Sequence, residues 1–338
     1  MTRPNRPWRV PAVWIAALAL LLTTSSALAQ DPGAMPYTLG APISHANLTI
    51  VPLHHKDAAR APKGQFLTFD EATRAKQIQV TELDGNTSDA EVNAVHVSNL
   101  GSKPIFIMSG EIILGGKQDR IIAQNTIIPP NAQQVEVKVF CVEQGRWDGK
   151  TAAFSNSGSM GHSELRKKAQ FDNNQQEVWK EVAKKNADMK VAPSTGTYRA
   201  TMDKASTTRD VEPYLAAILP ALRRDAQAVG IAVAIDGHFR TIEAFANPML
   251  FAKLRDKLVR SYALEAASSP DGDQPAAKRP PKPAQADAFL KKARKSRREE
   301  RSSKSGGIKN KFYNADDGSR SVISKDEAGM DVQFMYTK

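Results

Sequence analysis

Ser109-Gly-Glu-Ile-Ile-Leu-Gly-Gly-Lys-Gln-Asp-Arg120 and Cys141-Val-Glu-Gln-Gly-Arg-Trp147 decide how the chain is read. Each sets a carboxylate at or near the end of an apolar, strand-like run, then a glycine, then cationic side chains. An isolated carboxylate in a core is strongly disfavoured unless it is paired or protonated. Both segments therefore need charged partners.

Upstream of the first segment, Ile105 and Ile107 alternate with Phe106 and Met108, the pattern of a strand buried on both sides. Unbroken parity puts Glu111 on the face of Ile105, Ile107 and Ile113, unless Gly110 bulges and resets it. Upstream of the second, Val135, Val137, Val139 and Cys141 alternate with Glu136 and Lys138, and the same parity puts Glu143 on the valine face. Gln144-Gly145 turns the chain so that Arg146 folds back. The expectation is that Glu111 and Glu143 contact some of Lys117, Arg120 and Arg146. Gly115-Gly116 followed by Lys117 lacks the spacing of a phosphate-cradling loop or a dinucleotide fingerprint.

Around these segments the pattern is β-rich up to about residue 150. Leu48 to Leu53 and Ile78 to Val97 read as strands, with a turn at Asp84-Gly85, and Arg120 to Ile128 as one further strand ended by Pro129-Pro130. Leu67 to Lys76 reads as a short helix with Thr68 and Glu71 forming a capping box. His54 and His55 follow a strand directly; neighbours on a strand point to opposite faces, so the pair does not chelate one metal. After Trp147 the composition changes. Ser155 to Ser163 reads as a Gly/Ser-rich loop. Asn173 to Ala187 and a segment from Thr208 or Asp210 read as amphipathic helices. Gly230 to Phe245 is a hairpin turning at Asp236-Gly237. Asn247-Pro248 opens a helix with its cap and N1 residues in the preferred places. The fold class is α+β: an N-terminal β-rich, sandwich-like half, then an α+β half with a hairpin and amphipathic helices.

The termini carry different signals. Arg3, Arg6 and Arg9, the apolar run Ala12 to Leu22 and Ala27-Leu28-Ala29 make a signal peptide cleaved near Ala29, which predicts an exported protein, periplasmic or secreted. Cys141 is the one cysteine, so no internal disulfide forms; it reads as a buried small side chain or a free thiol. The net charge of +11 is a property of one segment: residues 278–311 hold thirteen Lys/Arg against Asp287, Glu299 and Glu300. Outside the signal peptide, the rest of the chain sums to −2. Divided by composition, 1–29 is the signal peptide, 30–150 a β-rich domain, 151–266 an α+β region, 267–307 a basic Pro/Lys/Arg-rich linker with a basic helix over 286–301, and 308–338 a C-terminal hairpin.

From Asn47 to about Ala266 the chain resembles the ARG-and-rhodanese-phosphatase-superfamily-associated protein domain. The residues that carry the likeness are Pro52-Leu53, Leu67-Thr-Phe-Asp-Glu-Ala72, Ser109-Gly-Glu111, Gly115 to Arg120, Cys141 to Trp147, Val178-Trp179 and the helix entry at Phe245 to Leu250. The resemblance implies a shared fold and supplies no catalytic residues.

Three functions compete. A binding or accessory module of the cell envelope would gather Glu111, Lys117, Gln118, Arg120, Glu143, Arg146 and Trp147 around a polar pocket for a small polar or anionic ligand. A hydrolase would use Glu111 and Glu143 as acid and base. A purely structural reading makes the charges a buried ion network that fixes strand register. No sequence motif calls for a metal or a cofactor. The basic segment 278–311 points to an anionic envelope polymer or membrane surface, and export argues against nucleic acid. A pocket favours the first two readings, and a sealed cluster favours the third.

Overall fold

The computed structural model describes residues 37–56, 66–83, 93–146, 152–269, 279–293 and 298–338. The signal segment, the Asp84-Gly85 turn, Trp147, and residues 270–278 and 294–297 of the 267–307 segment lie outside the described residues. The first half supplies β1 (Tyr37–Leu39), β2 (Ile43–His45), β3 (Leu48–His55), β4 (Leu67–Thr68), α1 (Phe69–Arg74), β5 (Ile78–Glu82), β6 (Ala94–Asn99), β7 (Ile105–Ile107), β8 (Glu111–Gly115), β9 (Arg120–Ile122), β10 (Thr126–Ile128) and β11 (Val135–Cys141). The second supplies β12 (Ala153–Met160), α2 (Ser163–Lys167) running into a π-helical turn at Lys168–Asp172, α3 (Gln175–Asp188), α4 (Arg199–Asp203), α5 (Ala205–Arg224), β13 (Ala228–Ile235), β14 (His238–Phe245), α6 (Pro248–Ala267), α7 (Pro283–Ala293), β15 (Arg298–Ser305), β16 (Ile308–Asn314), β17 (Arg320–Asp326) and β18 (Asp331–Thr337). The chain is α+β, as its patterning predicts.

The β-rich half closes on itself instead of forming two facing sheets. Strands β11-β6-β5-β12-β8-β9 make a closed barrel. Val80, Val95, Val97, Ile113, Ile122, Val137, Val139 and Phe154 share one buried cluster with Ile105, Ile107 and Ile128 of the small sheet β10-β7-β4. Closure depends on β12, which the composition presents as a loop. It pairs with β5 and β8, and its register shifts between Asn156 and Met160, where Gly158 takes a φ of 70°. Half-exposed polar residues and that irregularity erase the apolar alternation that marks a strand.

The second assembly is a nine-stranded sheet in the order β1-β3-β13-β14-β18-β17-β16-β15, with β2 also paired to β3. Its strands come from both ends of the chain. Central β13 is buried at every position. Ile231, Val233 and Ile235 pack with apolar residues of α5 and α6 in one cluster; Val229 and Ala232 pack with Phe289, Leu290 and Ala293 of α7 in another. The continuous apolar run reflects helices on both faces. Asp236 and Gly237 have φ of 55° and 75°, the left-handed pair that a two-residue hairpin turn needs. Asn247 accepts from the Met249 and Leu250 N–H groups and caps α6, with Pro248 behind it.

The C-terminus differs most from its sequence reading. The expected hairpin is the last half of a four-strand meander, β15 to β18, hydrogen-bonded to β14 through β18. Of the basic helix expected over 286–301, Pro283–Ala293 is α7, and Arg298–Ser305 is the sheet's edge strand. Helix α7 has Phe289 and Leu290 as its large apolar anchors; burying two such side chains contributes about 1.5–3 kcal/mol each. Lysine and arginine along an outermost strand are how sheets keep an edge from pairing with other chains. That is why this strand resembles a linker in sequence.

Candidate functional site

The glutamates of the two opening segments enter separate networks. Glu111 is fully buried. Gly110 before it has a φ of 95° and ends the β7 run, so the parity argument from Ile105 does not reach Glu111. A side chain on Gly110 would collide with Arg166, 2.5 Å from its Cγ. Glu111 Oε1 takes Lys257 Nζ of α6 at 2.6 Å, and Oε2 accepts the Met108 N–H at 2.8 Å. Lys257 also reaches Asp70 Oδ1 at 2.8 Å and Oδ2 at 2.7 Å, and Asp70 accepts from Asn156 Nδ2. Burial raises the Glu111 carboxyl, against the pull of Lys257. Burial also works to lower Lys257, but Glu111 and Asp70 outweigh it and hold the ammonium above its ordinary value.

The capping box of α1 is part of this docking. Thr68 and Glu71 satisfy each other's backbone N–H groups as the sequence predicts. Asp70 and Glu71 then face Lys257 and Lys253, one turn apart on α6, with Lys253 Nζ 2.9 Å from Glu71. Lys257 and Asp70 were invisible as partners of Glu111 because both lie far from it in sequence.

Glu143 sits at the barrel rim. Its Oε2 accepts Arg146 Nε at 2.7 Å and the Asp119 N–H at 3.4 Å; its Oε1 accepts the Thr195 hydroxyl at 2.8 Å. Arg146 folds back as the Gln144-Gly145 turn predicts and donates to Asp119 and to the carbonyls of Gly115 and Gly116. It thereby clasps the glycine turn of the first segment to the second. Burial raises the Asp119 carboxyl, opposed by the Gly115 N–H, and the neighbouring Glu143 pushes it the same way as burial. Gly116 has a φ of 53°, and a Cβ there would lie 2.4 Å from Glu82 Oε1.

The remaining predicted residues spread between these networks. Arg120 points into the barrel, on the face it shares through register with Ile113 and Cys141. Its Nη1 donates to the Gln118 carbonyl at 2.7 Å, and Nη2 stands 3.6 Å from Glu82. Gln118 reaches the Gln144 carbonyl at 3.4 Å. The Lys117 N–H donates to Glu82 at 2.8 Å. Cys141 is buried, and burial raises its thiol pKa.

Two further buried networks escaped the sequence reading. Arg166 makes a two-pronged pair with Glu243 at 2.7 and 2.9 Å, joined by the Tyr262 hydroxyl and Gln333 Nε2. Gln333 leads on to Asn125, which accepts the Ser109 N–H. Asn125 lies in the break that divides the expected Arg120–Ile128 strand into β9 and β10. His162 bonds Tyr198 and Glu181, both at 2.9 Å. Beside it Glu265 binds Lys185 at 3.1 Å and the Ser163 hydroxyl at 3.2 Å. Burial lowers the His162 pKa and keeps the imidazole neutral near pH 7. Burial alone would raise Glu265, but the charge that His162 takes on in acid, the Lys185 ammonium with its hydrogen bond, and the Glu164 N–H hold it at about 2.

A small depression of 110 Å³ is lined by Phe66, Leu67, Lys103, Asn247, Met249, Leu250 and Lys253, and by none of the predicted site residues. No group of three or more potential metal ligands occurs among the described residues. No helix among them is long and apolar enough to cross a membrane.

A model of the ARG and Rhodanese-Phosphatase-superfamily-associated Protein domain, ARPP-1, matches residues 36–330. The chain belongs to this family. The ARPP-1 match reaches well past Ala266, where the sequence likeness ended, and takes in α7 and most of the meander. That agrees with one nine-stranded sheet using strands from both ends of the matched region. No curated protein and no solved structure matches the chain.

Proposed function

We propose that this ARPP-1 chain is an exported accessory module of the cell envelope, a rigid body that works through its surface. Its two glutamate segments hold the body together, and its basic C-terminal segment, within 278–311, meets anionic groups. The observation that carries the reading is the saturation of the carboxylates. Both oxygens of Glu111 and both of Glu143 are taken by donors of the chain itself. A general acid must reach the proton it moves within hydrogen-bonding distance of substrate, and fully buried Glu111 offers no such approach. Export is supported by Arg3, Arg6 and Arg9, the apolar run behind them and Ala27-Leu28-Ala29.

Two experiments test the two halves of the reading. Glu111→Gln and Glu143→Gln proteins, screened beside the parent against ester, glycoside and phosphoester substrates, should differ in thermal midpoint and show no turnover. Hydrolysis by the parent that is lost in both variants would establish the hydrolase instead. Mass measurement of protein from fractionated cells should find a chain starting at Gln30 outside the cytoplasm. A full-length chain confined to the cytoplasm would rule out export.

A further inference from the structure

Barrel strand β11 packs against β15, the edge of the nine-stranded sheet. Their seam brings together two cations. Val137 and Val139 fill the barrel, so Lys138 between them points outward, its Nζ 5.6 Å from the Phe140 ring centre. On β15, Arg301 pairs with Phe312 across the sheet and lays its guanidinium over that ring at 3.5 Å. One of its N–H groups is spent on the Gln170 carbonyl.

Both side chains belong to half-buried residues. Neither has a carboxylate within ion-pairing distance among the described residues, although the cations around them do. Arg320 is paired with Asp172, Lys168 with Asp172 and Glu177, and Lys311 with Glu299. Burial and then Arg301 push the Lys138 amine below its ordinary value; burial lowers Arg301, with the Glu300 charge pulling the other way. Aromatic floors under both heads fix where they stand.

We propose that this seam is a binding site for a phosphoryl group, held by the planar fork of Arg301 and the point charge of Lys138. Arginine supplies directional N–H donors and lysine a compact charge, a pairing that suits a tetrahedral dianion better than a neutral ligand. The site deepens the anionic-partner reading above, and it can fail while that reading stands. Other lysines of the segment, such as Lys304 and Lys309, are exposed and lie off this seam.

The test uses the mature chain from Gln30 to Lys338, with inorganic phosphate as probe and chloride at equal ionic strength as control. Phosphate should raise the thermal midpoint of the parent beyond the chloride control. Lys138→Met and Arg301→Gln should each weaken the phosphate affinity measured by calorimetry at least tenfold, and the double variant should abolish it. Without phosphate, Lys138→Met should melt no lower than the parent, because it removes a repulsion, so a folding defect is separable from a binding defect. Arg301→Lys keeps the charge but not the fork and should fall between parent and Arg301→Gln. A parent unmoved by phosphate overturns the site. So does a double variant that responds like the parent, even if both still bind an anionic polymer. Vesicles of phosphatidylglycerol in phosphatidylcholine identify the source. Binding that free phosphate displaces assigns a lipid headgroup; phosphate binding without vesicle binding assigns a soluble phosphorylated group.

Discussion

Glu111 and Glu143 stand in segments of similar composition, yet one is sealed between layers and the other clasps a rim. Glu111 has no exposed surface, and its cation arrives from α6, across the boundary between barrel and helix. Glu143 meets Arg146 three residues along its own chain, and the Arg146 side chain keeps 24% of its surface in solvent. The same motif grammar therefore gives two strengths of interaction, set by how completely each pair is desolvated. The two carboxylates have no bonding partner in common.

The sealed networks should respond most. Lys257→Met leaves Glu111 and its desolvation cost in place and should destabilise by about 3–5 kcal/mol in denaturant unfolding. Adding Glu111→Leu should recover part of that loss, because the buried charge is gone while the Met108 N–H and Asp70 stay without their partners. If Lys257→Met alone costs under about 1 kcal/mol, the pair is wetter than its geometry requires. Arg166→Met at the Glu243 network belongs to the same class and should lose a similar amount.

The rim should respond less. Arg146→Ala removes charge-assisted hydrogen bonds, each worth about 1.5–3 kcal/mol, from a partly hydrated site, so a loss near the lower end is expected. Salt should reduce the Arg146 effect more than the Lys257 effect, since exposed charges are screened and buried ones much less so. Equal salt sensitivity would erase the distinction between the two regions.

A third region sharpens the contrast through pH. His162 is held below its ordinary pKa of 6.5, so the unfolded chain takes up that proton first and stability falls as pH drops below about 6.5. Glu265, held at about 2 against an ordinary 4.5, adds stability above pH 4.5 that is lost progressively as pH falls toward 2. Unfolding free energy measured from pH 8 to 3 should therefore decline in two stages. Glu265→Gln should flatten the lower stage and deepen the upper one, because the Glu265 charge also favours the protonated imidazole. A profile unchanged by that substitution would remove Glu265 from the account. The smallest effect belongs to the surface pair Lys253–Glu71: Lys253→Ala should cost about 0–1 kcal/mol.

What the residues reveal in advance follows from the range of the physics involved. The capping box at Thr68 and Glu71, the Asp236-Gly237 hairpin, the Asn247-Pro248 helix entry and the return of Arg146 to Glu143 are all local. Each was legible because its partners lie within a few residues. The Lys257 partner of Glu111 is 146 residues away, and the Arg166–Glu243 pair spans 77. No periodicity encodes either. Strand β12 was hidden because it is polar and bulged, and β15 because an edge strand guarded by charge has the composition of a linker. The α+β class was legible from alternation alone, while closure into a barrel depended on recognising β12.

The central claim is that the two glutamates act in independent networks, and a pair of double-mutant cycles tests it most directly. Unfolding free energies of Glu111→Gln, Glu143→Gln and the double variant should add to within about 0.5 kcal/mol, as they do for sites that share no partners. The same cycle on Glu111 and Lys257 should show a coupling within the about 0.5–3 kcal/mol typical of contacting residues. A coupling of that size between Glu111 and Glu143, with little between Glu111 and Lys257, would contradict the account and restore the two carboxylates to a single site.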